Sequence, residues 1–396
     1  MISGLLLAAA AALALYIVAG YPLSLVLFPG RPGPPVRKDP QFRTSVSVIL
    51  AVYNGEAFIR RKLEALLALN YPRRLVQILV VSDGSTDATD RIVESFAGRG
   101  VELVRVPHAG KASALNEAMA HASGEILFFT DVRQKFHPDA LAHLVANFAD
   151  PSVGAVSGEL RIPNPGFAGE QADMEAYWKY ELWVRRLHSR IDSMFSATGC
   201  IYAIRRVLAA PIAPETLADD VMIPLGAFFR GYRVILDPEA VAFDYPTAEG
   251  KEFRRKLRTL AGIWQAHAWR PELFTRRNRM RRHFLSHRFA RLALPWALLV
   301  LCGANLALPA GPQRSALLIV QGVTVALALL DLLIPKGSPL KRISSPARTF
   351  LAMNVAALAA TLVFVVPPAL FWRTTHVHIR HSGQVPEKGI AADSRR

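Results

Sequence analysis

From Ile2 to Phe28 the chain carries no charged residue. At about 1.5 Å per helical residue, these 27 residues reach further than the roughly 30 Å of hydrocarbon in a bilayer. The run therefore reads as a membrane span. A cleaved signal peptide fits less well, because no Lys or Arg precedes the run and its apolar core far exceeds a signal's roughly 7–15 residues. Three more uncharged runs lie near the other end: Leu292 to Gln313, Ser315 to Leu330 closed by Asp331 and Pro335, and Thr349 to Trp372. Between Arg31 and Arg291 nothing is long and apolar enough to cross, so about 260 residues form one water-facing body framed by membrane segments.

With these four runs uncharged, charge concentrates outside them. The formal net charge is +16, yet only 20% of residues are charged, below the roughly 25% of a typical globular chain. Apolar residues make up 52%, which excludes disorder, and two cysteines, Cys200 and Cys302, exclude a disulfide framework and suit a reducing compartment. Lys and Arg resist translocation. Arg31, Arg37, Lys38 and Arg43 follow the first span, and Lys251 to Arg291 carries thirteen Lys/Arg against Glu252 and Glu272. Both patterns put the body on the cytosolic side of a bacterial-type inner membrane. The expected divisions are a transmembrane helix over 1–30, a basic linker over 31–44, a cytosolic domain over 45–250, basic interfacial helices over 251–291, three membrane segments over 292–372 and a disordered basic tail over 373–396. Four full crossings would leave that tail outside, so the Pro367-Pro368 segment either crosses or only dips into the bilayer.

Within the body, Ser45–Val52 reads as a strand, Phe58–Leu69 as a helix and Val76–Val81 as a second strand. A helix over Asp87–Phe96, a strand over Val101–Val106, a helix over Ala112–Ala122 and a strand over Glu125–Thr130 continue the alternation. This pattern predicts an α/β fold with a mainly parallel sheet covered on both faces. Ligands on such sheets bind beyond the carboxyl ends of the strands, and two of these strands end in an aspartate, Asp83 and Asp131. Asp87, by contrast, reads as a helix cap.

Asn70-Tyr71-Pro72, the stretch from Ile78 to Asp87, Gly110-Lys111-Ala112 and Ala114-Leu115-Asn116 together resemble the membrane-embedded family 2 glycosyltransferases, the group of cellulose, hyaluronan, chitin and poly-N-acetylglucosamine synthases. The resemblance covers about Ser45 to Gly262 and implies a GT-A-like domain. It implies that Asp83 contacts the uracil of a UDP-sugar, that Ala51, Tyr53 and Glu56 belong to the segment packed on the base, and that Lys111 lies near the diphosphate, where an ammonium on a flexible stem suits phosphate. The family's DxD signature binds donor and metal. Here it reads Asp131-Val132-Arg133, so one carboxylate remains for Mg²⁺ or Mn²⁺, and Arg133 stands where the second would be. A divalent ion often takes only one or two carboxylates plus phosphate and water. Alternatively, Arg133 itself supplies charge to the departing UDP.

Phe195 to Cys200 resembles the acceptor-facing loop, which implies that role for Thr198, Gly199 and Cys200. Asp219-Asp220 resembles the family's acidic pair, whose second member is the catalytic base; Asp219 then orients Asp220 or raises its pKa by like-charge proximity. The competing reading of the pair is a helix start ahead of Val221. The QxxRW motif aligns with Arg255-Lys256-Leu257-Arg258-Thr259, keeping the arginine that faces the diphosphate and replacing by Thr259 the tryptophan that stacks on the acceptor sugar. The other arginines up to Arg291 suit an anionic membrane surface. Tyr177, Trp178, Tyr180 and Trp183 suit either headgroup level or packing on the body.

The expected activity is inverting transfer of a sugar from a UDP-sugar to a glycan or lipid-linked acceptor at the cytosolic membrane face, in polysaccharide or glycolipid biosynthesis. Two rivals stand beside it: a single-transfer glycolipid or polyprenyl-phosphate sugar transferase, and a catalytically silent nucleotide-sugar-binding subunit of a synthase. The basic residues follow the membrane boundary and no binding motif accompanies them, so nucleic acid is not an expected partner. An oligomer or accessory subunit remains compatible with the chain.

Overall fold

The computed structural model describes residues 2–28, 30–161, 170–244, 252–335 and 338–373. The basic tail after Arg373 and the side chain of Tyr177 lie outside the described residues.

An eight-stranded sheet forms the body, in the order β3-β2-β1-β4-β7-β6-β8-β5. Its strands are β1 (Val46–Val52), β2 (Val76–Asp83), β3 (Val101–Val106), β4 (Ile126–Phe129), β5 (Lys135–Phe136), β6 (Val153–Arg161), β7 (Tyr202–Arg205) and β8 (Arg233–Phe243). The half β3-β2-β1-β4 is parallel throughout, as the strand–helix alternation predicts. In the other half, β7 runs antiparallel to both β4 and β6, while β6 and β8 are parallel. The sheet is therefore mixed but mainly parallel.

Strand period two divides the apolar residues between two faces. Val46, Val48 and Leu50 face α1 (Glu56–Leu67), through Ile59, Leu63 and Leu66, together with Leu141 and Leu144 of a later helix. Ile49, Leu79 and Val81 face the opposite layer, packed under the helix α2 (Lys111–His121), through Ala114, Leu115 and Ala118, and the helix α3 (Asp219–Phe229). Each fully buried Leu or Ile in these layers stabilises the fold by roughly 1.5–3 kcal/mol relative to exposure.

Four helices among the described residues are long and apolar enough to cross a membrane: Ile2–Leu27, Arg281–Leu306, Pro312–Leu333 and Lys341–Phe364. The first lies along the second and the third along the fourth. Three of them, starting at Arg281, Pro312 and Lys341, begin earlier than the uncharged runs from Leu292, Ser315 and Thr349. Several of the cations so included are paired: Arg291 binds Glu181 and Arg288 binds Ser196 of the body, while Lys341 and Arg348 bind the fully buried Asp331 at 3.0 and 2.9 Å. Cations neutralised in this way can belong to a spanning helix, which a search for charge-free runs does not register.

The helix α4 (Glu170–Ile191) precedes α3 in the chain and joins the body to the first of the long apolar helices. Its Tyr180, Trp183, Val184 and Leu187 pack on Tyr21 and Leu25 of the first span, and the Trp178 indole donates to the Leu160 carbonyl at 3.3 Å. The aromatic residues thus serve packing against both neighbours.

Candidate active site

The mixed sheet brings the site together. β1, β2 and β4 end at one edge, and because β7 is antiparallel it starts there, with Phe129 opposite Tyr202. The segment before β7, Thr198–Cys200, is therefore laid beside the segment after β4, and Thr130 Oγ1 donates to the Cys200 carbonyl at 2.9 Å. α2 begins at Lys111 and α3 at Asp219, so both helices start at this edge.

Lys111 is the hub. Its Nζ lies 3.0 Å from Asp131 Oδ1 and 3.1 Å from Asp219 Oδ1. Burial opposes the ammonium's charge, but Asp131 and Asp219 hold its pKa above the usual lysine value. Burial likewise opposes ionisation of Asp131, and Lys111, with Lys62 and Arg258 beyond it, keeps that carboxyl below the usual range. Asp220 behaves in the opposite way. Burial first, then the Asp219 carboxylate, push it up to about 6. Asp219 and Asp220 do open a helix, but Lys111 sits against one and the like charge acts on the other. Arg258, on the helix α5 (Glu252–Trp269), senses all three carboxylates: burial pulls its pKa down and Asp131, Asp219 and Asp220 pull it back up.

A second group closes over the β2 end. The Asp83 carboxylate accepts the backbone N–H of Ala109 at 2.8 Å and of Gly110 at 3.0 Å, and His108 Nδ1 lies 3.0 Å from it. Gly84 makes this closure possible: its φ is +67°, and a Cβ there would sit 2.8 Å from the His108 nitrogen. His108 stacks on Tyr53, with ring centroids 4.3 Å apart. Glu56, though exposed, caps: its carboxylate accepts Ala88 N–H at 2.9 Å, while Asp87 accepts Glu56 N–H at 3.0 Å and Thr89 N–H at 2.9 Å. Ala51 packs into the core layer below.

On the acceptor-loop side, Ala197 N–H donates to the Asp220 carbonyl at 2.8 Å, and a Cβ on Gly199 would stand 3.3 Å from Asp220 Oδ2. Thr198 Oγ1 donates to Gly158 O at 3.0 Å and receives Arg185 at 3.0 Å. Cys200 turns into the core, where burial pushes its thiol above the usual range. Arg133 is paired with Asp244, which also accepts Gln134 Nε2 at 3.0 Å. Thr259 bonds to its own helix at Arg255 O, 3.0 Å away. Trp264 donates to Ala357 O of the fourth span at 3.4 Å and packs beside Ala360 and Val363.

Three residues escaped the sequence reading. His108 lies in the loop after β3, where only spacing from Lys111 marked it. Lys62 sits on α1 at a helical position otherwise filled by core residues, and it is 2% exposed. Its Nζ donates to Thr130 Oγ1 at 2.7 Å and Gln134 O at 2.9 Å, bracing the loop that carries Asp131 from behind. A charged residue inside an apolar helical stripe was the available signal. Arg185, buried beside Arg288, is pulled down to about 10 by burial and then by that neighbouring charge.

No group of three His, Cys, Asp or Glu side chains with metal-holding geometry occurs among the described residues. Asp131 is nonetheless partly exposed, and a single carboxylate fits a Mg²⁺ or Mn²⁺ whose remaining ligands are phosphate and water.

Residues 47–210 match the family model "Glycosyl transferase family 2". The probable glycosyltransferase YdaM of Bacillus subtilis is 26% identical over 223 residues, 53% of either chain. The poly-beta-1,6-N-acetyl-D-glucosamine synthase of Staphylococcus epidermidis is 24% identical over 234 residues, 57% of this chain and 56% of its own. The chain spans about half the length of the curated relatives it matches. Among solved structures, the mannosyltransferase PcManGT from Pyrobaculum calidifontis, in complex with GDP-Man and Mn²⁺, is similar at a TM-score of 0.70 and 27% identity over 90% of this chain and 98% of its own. The shared architecture is GT-A-like.

Proposed function

The chain carries a family 2 glycosyltransferase domain, and from this premise we propose that it transfers a hexose, with inversion, from a nucleoside-diphosphate sugar to an acceptor presented at the cytosolic membrane face. The observation that carries this reading is the set Asp131, Lys111, Asp219 and Asp220 at one sheet edge, with a cation between two carboxylates and a third carboxyl raised to about 6. Asp220 is the base. It takes the acceptor hydroxyl's proton as the new bond forms at C1 and the bond from C1 to the diphosphate breaks, and a raised pKa brings its basicity closer to that task. Asp219 fixes Lys111, and Lys111 with Arg258 meets the negative charge that develops on the leaving diphosphate. A Mg²⁺ or Mn²⁺ would be held by Asp131 together with the donor's phosphates and would add to that neutralisation.

Tyr53, His108 and Asp83 line the proposed base pocket. We take the donor as a UDP-sugar, with uracil N3–H on Asp83. The likeness to a mannosyltransferase bound to GDP-Man favours a second reading, GDP-mannose, since guanine N1–H and N2–H also suit a carboxylate. A membrane-borne acceptor is supported by Arg288, which belongs to the second span yet bonds Ser196 of the acceptor loop.

Incubating membranes containing the protein with a panel of UDP- and GDP-sugars, followed by product and nucleotide analysis, tests the proposal. One donor giving a β-linked product with stoichiometric nucleotide diphosphate is expected. Nucleotide-sugar binding without release, across the whole panel and with membrane lipid and glycan acceptors present, would favour the silent subunit instead.

A further inference from the structure

A rigid turn precedes the second span. Asn278, 2% exposed, donates from Nδ2 to Leu273 O at 2.8 Å and accepts Met280 N–H at 2.9 Å. Arg279 is fixed by both Asp192 oxygens at 2.8 and 2.9 Å, by Phe228 O at 2.7 Å and by Tyr232 O at 2.6 Å. This turn walls an open groove of about 640 Å³, lined also by Arg276, Arg281, Arg282 and Leu285.

The three rim arginines Arg276, Arg281 and Arg282 are exposed, and among the described residues none of their side chains has a hydrogen bond or ion pair. Asp192, the carboxylate that meets this turn, is taken by Arg279. Three like charges around one hollow repel each other unless an anion joins them. Ser286 at the groove floor accepts the Tyr16 hydroxyl of the first span at 2.7 Å, so the hollow opens where two membrane helices meet the body. Leu285 is exposed immediately below the guanidiniums, on the spanning helix itself.

We propose that this groove is a headgroup site for an anionic phospholipid, with Arg276, Arg281 and Arg282 on its phosphate and its acyl chains along the second span from Leu285. Guanidinium forks suit phosphate oxygens. A free phosphate would satisfy the same forks, but a charged rim directly above an apolar helical face matches a lipid in both parts. The site is separate from the transfer site. Arg279 holds the C-terminal end of α3, whose 11 residues put Asp219 about 16 Å away at the other end. The proposal rests on the chain crossing a bilayer and not on its chemistry.

The test uses the full chain in detergent, equilibrated with equal phosphatidylcholine and phosphatidylglycerol, and measures lipid retained after exchange. Wild type should retain phosphatidylglycerol preferentially. The variant R276Q/R281Q/R282Q should lose that preference by about fivefold or more, as expected when basic groups leave an anionic surface. The control R61Q/R74Q/R91Q, with the same change in charge elsewhere on the body, should keep it. Equal retention of both lipids by wild type, an equal loss in the control, or full displacement of the lipid by millimolar inorganic phosphate would each overturn the proposal.

Discussion

At the scale of single residues, two groups whose pKa values are shifted in opposite directions give measurable pH responses. Asp220 must be ionised to act as a base, and its carboxyl is raised to about 6. Kcat/KM should therefore climb with pH up to about 6 and level off above. Asp220→Asn should lower kcat by about 10² or more while nucleotide affinity stays nearly constant, because the amide keeps the shape and loses the proton acceptor. Turnover within about threefold of wild type would remove Asp220 from the proposed role. Lys62 has its pKa lowered by burial to about 7, against an ordinary 10.5. Between those values the unfolded chain holds a proton that the native chain has shed, so stability rises with pH across that window and is flat below it. Lys62→Met removes the linkage. The melting temperature of wild type relative to the variant should rise from pH 7 to pH 10, and an unchanged difference would show that Lys62 titrates normally. Lys62 also illustrates the limit of reading positions one at a time: its place on α1 is legible in the sequence, and its contact with Thr130 is not.

At the scale of elements, the segment after β4 is held at both ends, by Lys62 from within and by the Arg133–Asp244 pair at the far side of the sheet. Arg133 thus has a partner that its position in the motif did not suggest. Arg133→Ala should cost about 3 kcal/mol in thermal or denaturant unfolding, because it removes one partner from a buried carboxylate. Arg133→Ala/Asp244→Ala should recover part of that loss, and simple additivity of the two single changes would mean the pair does not couple. With Arg133 so engaged, one carboxylate remains for a divalent ion. Activity titrated after chelation should need Mg²⁺ or Mn²⁺ at well above micromolar concentration, and saturation at micromolar metal would point to ligands outside this segment.

At the scale of the whole molecule, the proposed transfer site lies against the long apolar helices. α5 brings Arg258 to the carboxylates and lays Trp264 on the fourth span, so this tryptophan is spent on docking and does not face an acceptor. Thr259, where the resembling family has its stacking tryptophan, gives no aromatic platform. One or a few transfers per binding event and a short or lipid-linked product are expected with excess donor at early times. Long polymer from the isolated protein would show that the growing chain is gripped elsewhere.

The sequence by itself determined what depends on local pattern. Long uncharged runs give helices long and apolar enough to cross a bilayer, strand–helix alternation gives the parallel half of the sheet, and aspartates at two strand ends stand at the edge where such sheets take ligands. Only the tertiary structure decided what depends on pairing between distant segments. The antiparallel β7 brings Thr198–Cys200 beside Asp131, Lys111 sits between Asp131 and Asp219, and ion pairs with Asp331 and Glu181 allow charged residues to begin a spanning helix. The physical reason is that a charge's cost and use are set by its neighbours in space, and those neighbours lie tens to hundreds of residues away along the chain.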